Sequence, residues 1–156
     1  MKDPRLPAGA EAPEFSLPDQ NEEVVSLSSL RGKKVLLSFH PLAWTGVCEI
    51  QMRTLEVKAD TLDKLNTRAL GVSVDSPASK KAWADALGIK KTALLADFWP
   101  HGETAKKYSL FLEEKGISGR ANFLIDEAGR IELVKIYRIS EVPDIEEIIR
   151  FLRSSD

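Results

Sequence analysis

Val35-Leu36-Leu37-Ser38-Phe39, followed at once by His40-Pro41 and then by Leu42-Ala43-Trp44-Thr45-Gly46-Val47-Cys48, is the stretch that decides how this chain folds. A nearly continuous apolar run, with Lys33-Lys34 before it and His40-Pro41 after it, has the pattern of a strand covered on both faces. Beyond Pro41 the LAWTG segment reads as irregular. Cys48, Met52, Leu55, Ala59 and Leu62 then recur at spacings of four and three, one stripe of a helix that starts near Thr45 to Val47 and runs to about Leu65. A central strand thus feeds through a short loop into a helix whose first turn carries Cys48.

The flanking segments extend the alternation. Downstream, Ala69 to Val74 is a second apolar strand, and Ser76-Pro77 supplies a cap and a first-turn proline for a helix that carries Trp83 and stops near Gly88. Thr92 to Ala96 is a further strand, followed by a Trp99-Pro100 turn and a helix from Gly102 to Tyr108. Ala121 to Ile125 and Ile131 to Tyr137 flank a four-residue connector, Asp126 to Gly129, and predict an antiparallel hairpin. Ile145, Ile148, Ile149 and Leu152 share one face of a C-terminal helix behind Pro143 and Asp144. Upstream, Phe15 to Leu17 and Val24 to Leu27 predict a small hairpin, and Ser28 to Arg31 one helical turn ending at Gly32. The order predicts a mixed α/β sandwich with helices on both faces of the sheet.

With 156 residues, 43% of them hydrophobic and 29% charged, the chain has the length of one domain spanning 1–156 and a composition that excludes intrinsic disorder. Residues 1–12 hold Pro4, Pro7 and Gly9 and read as an extended arm. Lys plus Arg total 22 against 24 acidic residues, a formal charge of −2, which offers no basic field for nucleic acid or anionic lipid. No apolar run approaches a membrane span and the N-terminus lacks a signal-peptide core, so the expected location is the cytoplasm.

Cys48 is the only cysteine, which excludes an intrachain disulfide and a polythiolate metal site. A lone cysteine is by default a small buried hydrophobe. This one falls in the first turn of a helix just after the carboxyl end of the central strand, where open α/β sheets place their ligand crevices and where free amides and the helix dipole favour thiolate. Burial beside Met52 opposes ionisation, so a further positive group is needed.

The segment Pro41-Leu42-Ala43-Trp44-Thr45-Gly46-Val47-Cys48 resembles the PxxxTxxC signature of the peroxiredoxins, with Pro41, Thr45 and Cys48 at its fixed positions. GISGRANFLID resembles the strand that delivers that family's active-site arginine, here Arg120. FSLPDQNEEVVSLSSLRGKKVLLSF, GVSVDSPASKKAW and DFWPHGETAKKYSLF resemble family segments in the same order, so the similarity spans roughly residues 10 to 138. PLAWTGVC and DFWPHG resemble the small bacterial one-cysteine enzymes of the alkyl hydroperoxide reductase E type. The resemblance implies a thioredoxin-like fold with an added N-terminal hairpin, and peroxide reduction without a cofactor or metal.

It also gives roles to particular residues, each with a plainer alternative. Pro41 would shield the sulfur, or merely end a strand. Thr45 would cap the helix through its oxygen and reach thiolate or peroxide through its hydroxyl hydrogen. Arg120 would bring a permanent charge to the sulfur, where a surface position is the default for arginine. Amides near Val47 and Cys48 would stabilise charge on the departing oxygen. His40 resembles the histidine of some one-cysteine members, or is only packed at a strand end. Gln51 stands where many members have glutamate; an amide can orient Arg120 but carries no countercharge. Trp44 and Trp99 would wall the crevice or form a subunit contact, while Trp83 reads as core.

The reaction implied is attack of Cys48 on a hydroperoxide to give a sulfenic acid. Position 53, where some relatives carry a resolving cysteine, is Arg53. Recycling therefore calls for an external thiol: a low-molecular-weight thiol, or a thioredoxin-like or mycoredoxin-like protein. A homodimer is the expected assembly. Two other functions fit one reactive cysteine on this scaffold, thiol transfer with mixed disulfides and a non-enzymatic redox sensor or holdase.

Overall fold

The structure is a computed structural model and describes residues 6–155, so the first five residues of the expected arm lie outside it. β1 (Ser16–Pro18) and β2 (Val24–Ser26) pair antiparallel as the N-terminal hairpin. A 3-10 turn over Leu27–Leu30 leads to β3 (Lys34–Phe39), α1 (Gly46–Val57), α2 (Ala59–Lys64), β4 (Thr67–Ser73), α3 (Pro77–Leu87) and β5 (Ala93–Ala96). There follow α4 (Glu103–Lys107), a small hairpin of β6 (Phe111–Leu112) and β7 (Ile117–Ser118), then β8 (Arg120–Ile125), β9 (Ile131–Tyr137) and α5 (Ile145–Ser154).

Five strands form one mixed sheet in the order β5-β4-β3-β8-β9. β3, β4 and β5 run parallel, β8 is antiparallel to β3, and β9 antiparallel to β8. β3 is central and buried throughout, as its continuous apolar pattern requires. The antiparallel entry of β8 sets Phe39 opposite Ala121, so the start of β8 lies beside the end of β3, where the loop to α1 begins.

The two-residue period of the strands sorts the core into two layers. Val35, Leu37, Phe39, Ala121, Phe123 and Ile125 face a layer closed by the N-terminal hairpin and by Ala105 and Tyr108 at α4. Leu36 and Leu124 face the opposite layer, with Cys48, Met52 and Leu55 of α1, Trp83 and Ala84 of α3, and Ile148, Ile149 and Leu152 of α5. By the same period Ser38, Arg120 and Asn122 lie on the face that α1 covers. Gly71, paired with Ser38 across β3 and β4, lets α1 approach: a Cβ there would collide with Met52 Sδ, one turn beyond Cys48.

Several details depart from the sequence expectation. The single helix to Leu65 is two helices, broken at Lys58 (φ −92°, ψ 4°). Thr54 Oγ1 donates to Ile50 O at 2.7 Å, a back-bond of the kind that bends helices. β6 and β7 were not expected, because two-residue strands carry no readable period. β8 starts at Arg120, one residue before the predicted Ala121, and β5 at Ala93. The described part of the arm packs on the domain: Gly9 N donates to Ile131 O at 2.7 Å, and Leu6 and Ala10 rest on the first core layer.

Candidate active site

Cys48 is the third residue of α1 and is fully buried, its relative exposure 0%. The first turn-closing bond of the helix runs from Glu49 N to Thr45 O at 2.9 Å, so the amides of Gly46, Val47 and Cys48 precede the helical ladder. Arg120, 72 residues away in sequence, is 2% exposed and points its Nη1 at Cys48 Sγ from 3.3 Å. The adjacency of β8 and β3 makes that contact.

The guanidinium is held on every side. Nε and Nη2 donate to Ile139 O at 3.1 and 2.6 Å, and Nη1 donates to Gln51 Oε1 at 2.7 Å. Gln51, one turn after Cys48 and buried, donates through Nε2 to Ser38 Oγ at 2.7 Å and to Phe39 O at 3.1 Å. An amide can do both, accepting from the cation and donating to the sheet; a carboxylate can only accept. Gln51 therefore orients Arg120 but leaves its positive charge uncompensated.

Thr45 occupies the N-cap position but makes no side-chain capping bond. Its hydroxyl donates to Leu42 O at 2.8 Å, which corrects the expected cap: the hydroxyl closes the 42–45 turn, and the first-turn amides are left uncapped by it. The turn is tied down elsewhere too. Ala43 N donates to Asp75 Oδ2 at 2.8 Å, and Trp44, at a left-handed φ of 70°, donates its indole N–H to Ser79 Oγ at 3.2 Å. Such a φ is costly for a bulky side chain and needs surrounding bonds to hold it. Pro41 is buried at the strand end, and Val47 is half-buried beside the sulfur-bearing residue. Trp44 and Trp99 are 56% and 82% exposed, so neither is a buried wall, whereas Trp83 is core.

His40 is fully buried behind the loop, its Nδ1 3.5 Å from Ser38 O and its Nε2 2.7 Å from Lys80 Nζ. Burial holds the imidazole well below its ordinary value, and the charges of Lys80 and Arg120 act in the same direction. Lys80 comes from α3, is itself fully buried, and is brought down to about 7 by desolvation, against the pull of Asp75 and Cys48. The sequence reading missed Lys80, Asp75, Ser38 and the carbonyl of Ile139. Lys80 had a signal: it shares a helical stripe with Trp83, Ala84 and Leu87, a charge on an apolar face. His101 instead lies near the surface with Nε2 2.7 Å from Gly116 O, and among the described residues no group of three or more His, Cys, Asp or Glu could hold a metal ion.

The family model described as AhpC/TSA matches residues 8–134, a stretch that includes Pro41, Thr45, Cys48 and Arg120. The chain belongs to the AhpC/TSA family. It is 40% identical over 140 residues to alkyl hydroperoxide reductase E of Mycobacterium tuberculosis, covering 89% of this chain and 91% of that protein. It is 31% identical to peroxiredoxin-1 of Gallus gallus, over 94% of this chain and 77% of the relative. Among solved structures, the reduced 2-Cys peroxiredoxin of Plasmodium vivax superposes with a TM-score of 0.85 at 30% identity, covering 95% of this chain and 81% of that one. Enterococcus faecalis AhpC gives 0.86 at 28% identity, covering 95% and 91%. The chain is thus an enzyme of the peroxiredoxin family with the thioredoxin-like fold, and its single cysteine fits the one-cysteine type. Among the described residues no helix is long and apolar enough to cross a membrane.

Proposed function

We propose that the chain reduces hydrogen peroxide and organic hydroperoxides through Cys48 and is returned to the thiol by an external reductant. The observation that carries this reading is the 3.3 Å contact between Arg120 Nη1 and Cys48 Sγ at the mouth of α1. Cys48 thiolate attacks one peroxide oxygen; the S–O bond forms as the O–O bond breaks, and the other oxygen leaves as water or an alcohol after taking up a proton. Sulfur is oxidised to sulfenic acid and the peroxide is reduced. Negative charge moves from sulfur to the departing oxygen along the way. Arg120, already in contact with the sulfur, and the amides of Val47 and Cys48 stabilise that charge as it moves.

Pro41 and Thr45 act through the loop, the first by closing the strand end and the second by fixing the turn at Leu42. Gln51 orients Arg120. The sulfenic acid has no second cysteine to condense with in this chain, so a low-molecular-weight thiol, or a thioredoxin-like or mycoredoxin-like protein, completes the cycle. A homodimer formed through the exposed Trp44 and Trp99, one domain over residues 1–156 and a cytoplasmic location complete the proposal.

The test is peroxide consumption by reduced protein and by Cys48→Ser. One equivalent of peroxide should add one oxygen to the wild-type mass, trapped by dimedone, and the variant should be inert while folded. Undiminished turnover by Cys48→Ser overturns the reading. Faster reaction with a mixed disulfide than with peroxide would make the protein a thiol transferase. Stoichiometric oxidation that no thiol reverses would make it a sensor or holdase.

A further inference from the structure

Lys80 is buried at 0% exposure on the inner face of α3, a position lysine rarely takes without a carboxylate partner. Its Nζ lies 2.7 Å from His40 Nε2 and 5.5 Å from the centroid of the Trp83 ring. Asp75, the carboxylate that acts on it, is engaged by the catalytic loop and β4: Oδ2 accepts from Ala43 N at 2.8 Å and from Ser73 Oγ at 2.6 Å. No salt bridge to Lys80 occurs among the described residues. A long side chain that neither reaches water nor pairs with a carboxylate has been given up to the interior for some other partner.

We propose that Lys80, held by His40, is a second cation of the Cys48 site, a positioning residue that supports the thiolate while Arg120 contacts it. The inference deepens the peroxidase reading and rests on it. Its structural basis is the arrangement around the sulfur. Arg120 reaches Cys48 directly from β8 at 3.3 Å, while Lys80 shares its 2.7 Å hydrogen bond with His40, the residue before Pro41 at the head of the loop to Cys48, and its helix neighbours Trp83 and Ala84 lie in the same buried layer as Cys48. The acidic groups whose charge acts on Lys80 are Asp75 from the β4–α3 loop and Cys48 from α1. His40, at the end of β3, is the remaining titratable group in contact and is faced in turn by Lys80 and Arg120.

Two basic groups can share a 2.7 Å hydrogen bond only if one is neutral. Burial keeps His40 neutral, so when the pair holds a proton it resides on Lys80, whose ammonium donates to His40 Nε2. That fixes the imidazole proton on Nδ1, the nitrogen that faces Ser38 O. Arg120 is charged at every working pH, whereas Lys80 loses its proton as the pH rises through about 7. The site then falls from two cations to one, and the field at the sulfur and at the departing oxygen weakens.

The experiment is the second-order rate constant for hydrogen peroxide from pH 6 to 9, divided by the fraction of thiolate read from its absorbance. For wild type the rate per thiolate should fall about threefold to tenfold across this range, since a nearby charge is worth roughly a factor of ten. Lys80→Met should give a flat profile at the low value, and Lys80→Arg, whose charge does not titrate, a flat profile at the high one. A packing role alone would leave the shape of the profile unchanged. A flat wild-type profile overturns the proposal whether or not either variant folds, and so does a Lys80→Met profile with the wild-type limb. A wild-type protein that does not react with peroxide at all overturns the peroxidase reading itself.

Discussion

Among the described residues, Cys48 Sγ is the one group in contact with the Arg120 guanidinium that can carry negative charge; the other acceptors are the carbonyl of Ile139 and the amide oxygen of Gln51. A buried cation whose fixed partners are all neutral has its electrostatic attraction unspent. An anion formed at the sulfur, or on an oxygen leaving it, receives that attraction in full.

Replacing Arg120 should therefore cost rate far more than fold. Arg120→Met is expected to lower the rate constant for peroxide at pH 7 by about 10²- to 10³-fold, the usual loss when one preorganised donor to a transition-state anion is removed. Arg120→Lys should recover only part of it, because an ammonium keeps the charge but cannot fork onto Ile139 O while also reaching Gln51 and the sulfur. Stopped-flow oxidation of the reduced proteins measures both. A loss of less than threefold in Arg120→Met would mean that the guanidinium is not part of the reaction.

Gln51→Glu tests the neutral buttress. The new carboxylate accepts from Arg120 as the amide oxygen does, but it adds a negative charge at the guanidinium and removes the donor to Ser38 Oγ and Phe39 O. The expected outcome is a rate at pH 7 reduced about threefold to tenfold, in keeping with a like charge placed near the thiolate. Thiolate absorbance at that pH should fall with it. A faster variant would show that Arg120 needs an anionic support.

Much of this site was legible in the chain itself. The continuous apolar run of β3, the Cys48 stripe and the PxxxTxxC spacing placed the sulfur at the mouth of α1, and the β8 segment supplied Arg120. What was not legible depended on contacts between elements far apart in sequence. Lys80 carries a signal in its stripe with Trp83 and Ala84, but its partner is not readable: only tertiary packing of α3 brings Lys80 Nζ to 2.7 Å from His40 Nε2. The role of Thr45 was misread for a different reason: a cap position is visible in sequence, but the direction of its hydroxyl is set by the shape of the preceding turn.

That difference predicts a contrast in stability between two positions that look alike in sequence. Ser76 is a true N-cap, its Oγ accepting from Ser79 N at 3.1 Å, so Ser76→Ala should cost about 1 kcal/mol. Thr45 does not cap α1, so Thr45→Val loses only an exposed turn bond and should cost less than Ser76→Ala. Urea denaturation of the reduced proteins at one pH makes the comparison. A larger loss for Thr45→Val would restore the capping role.

Stability should also depend on pH in a way that identifies the buried pair. Lys80 has a folded value of about 7 against roughly 10.4 for an unperturbed lysine, so between these limits the unfolded chain binds more protons than the folded one. Stability then rises with pH through that window. The lowered His40 acts in the same sense at lower pH: the folded protein resists a proton that the unfolded chain accepts below about 6.5, so stability declines as the pH falls through that region. Glu56 gives a separate, more acidic loss. Burial works against its charge, but amide bonds from Lys90, Lys91 and Thr92 outweigh it and lower its value, so its contribution is present above about 4.5 and disappears as the pH falls further. Denaturation of wild type should therefore show stability increasing from pH 7 to 9, and Lys80→Met should show a smaller increase while keeping the acidic losses. An equal increase in both proteins would assign the slope to other groups and leave Lys80 without a perturbed proton.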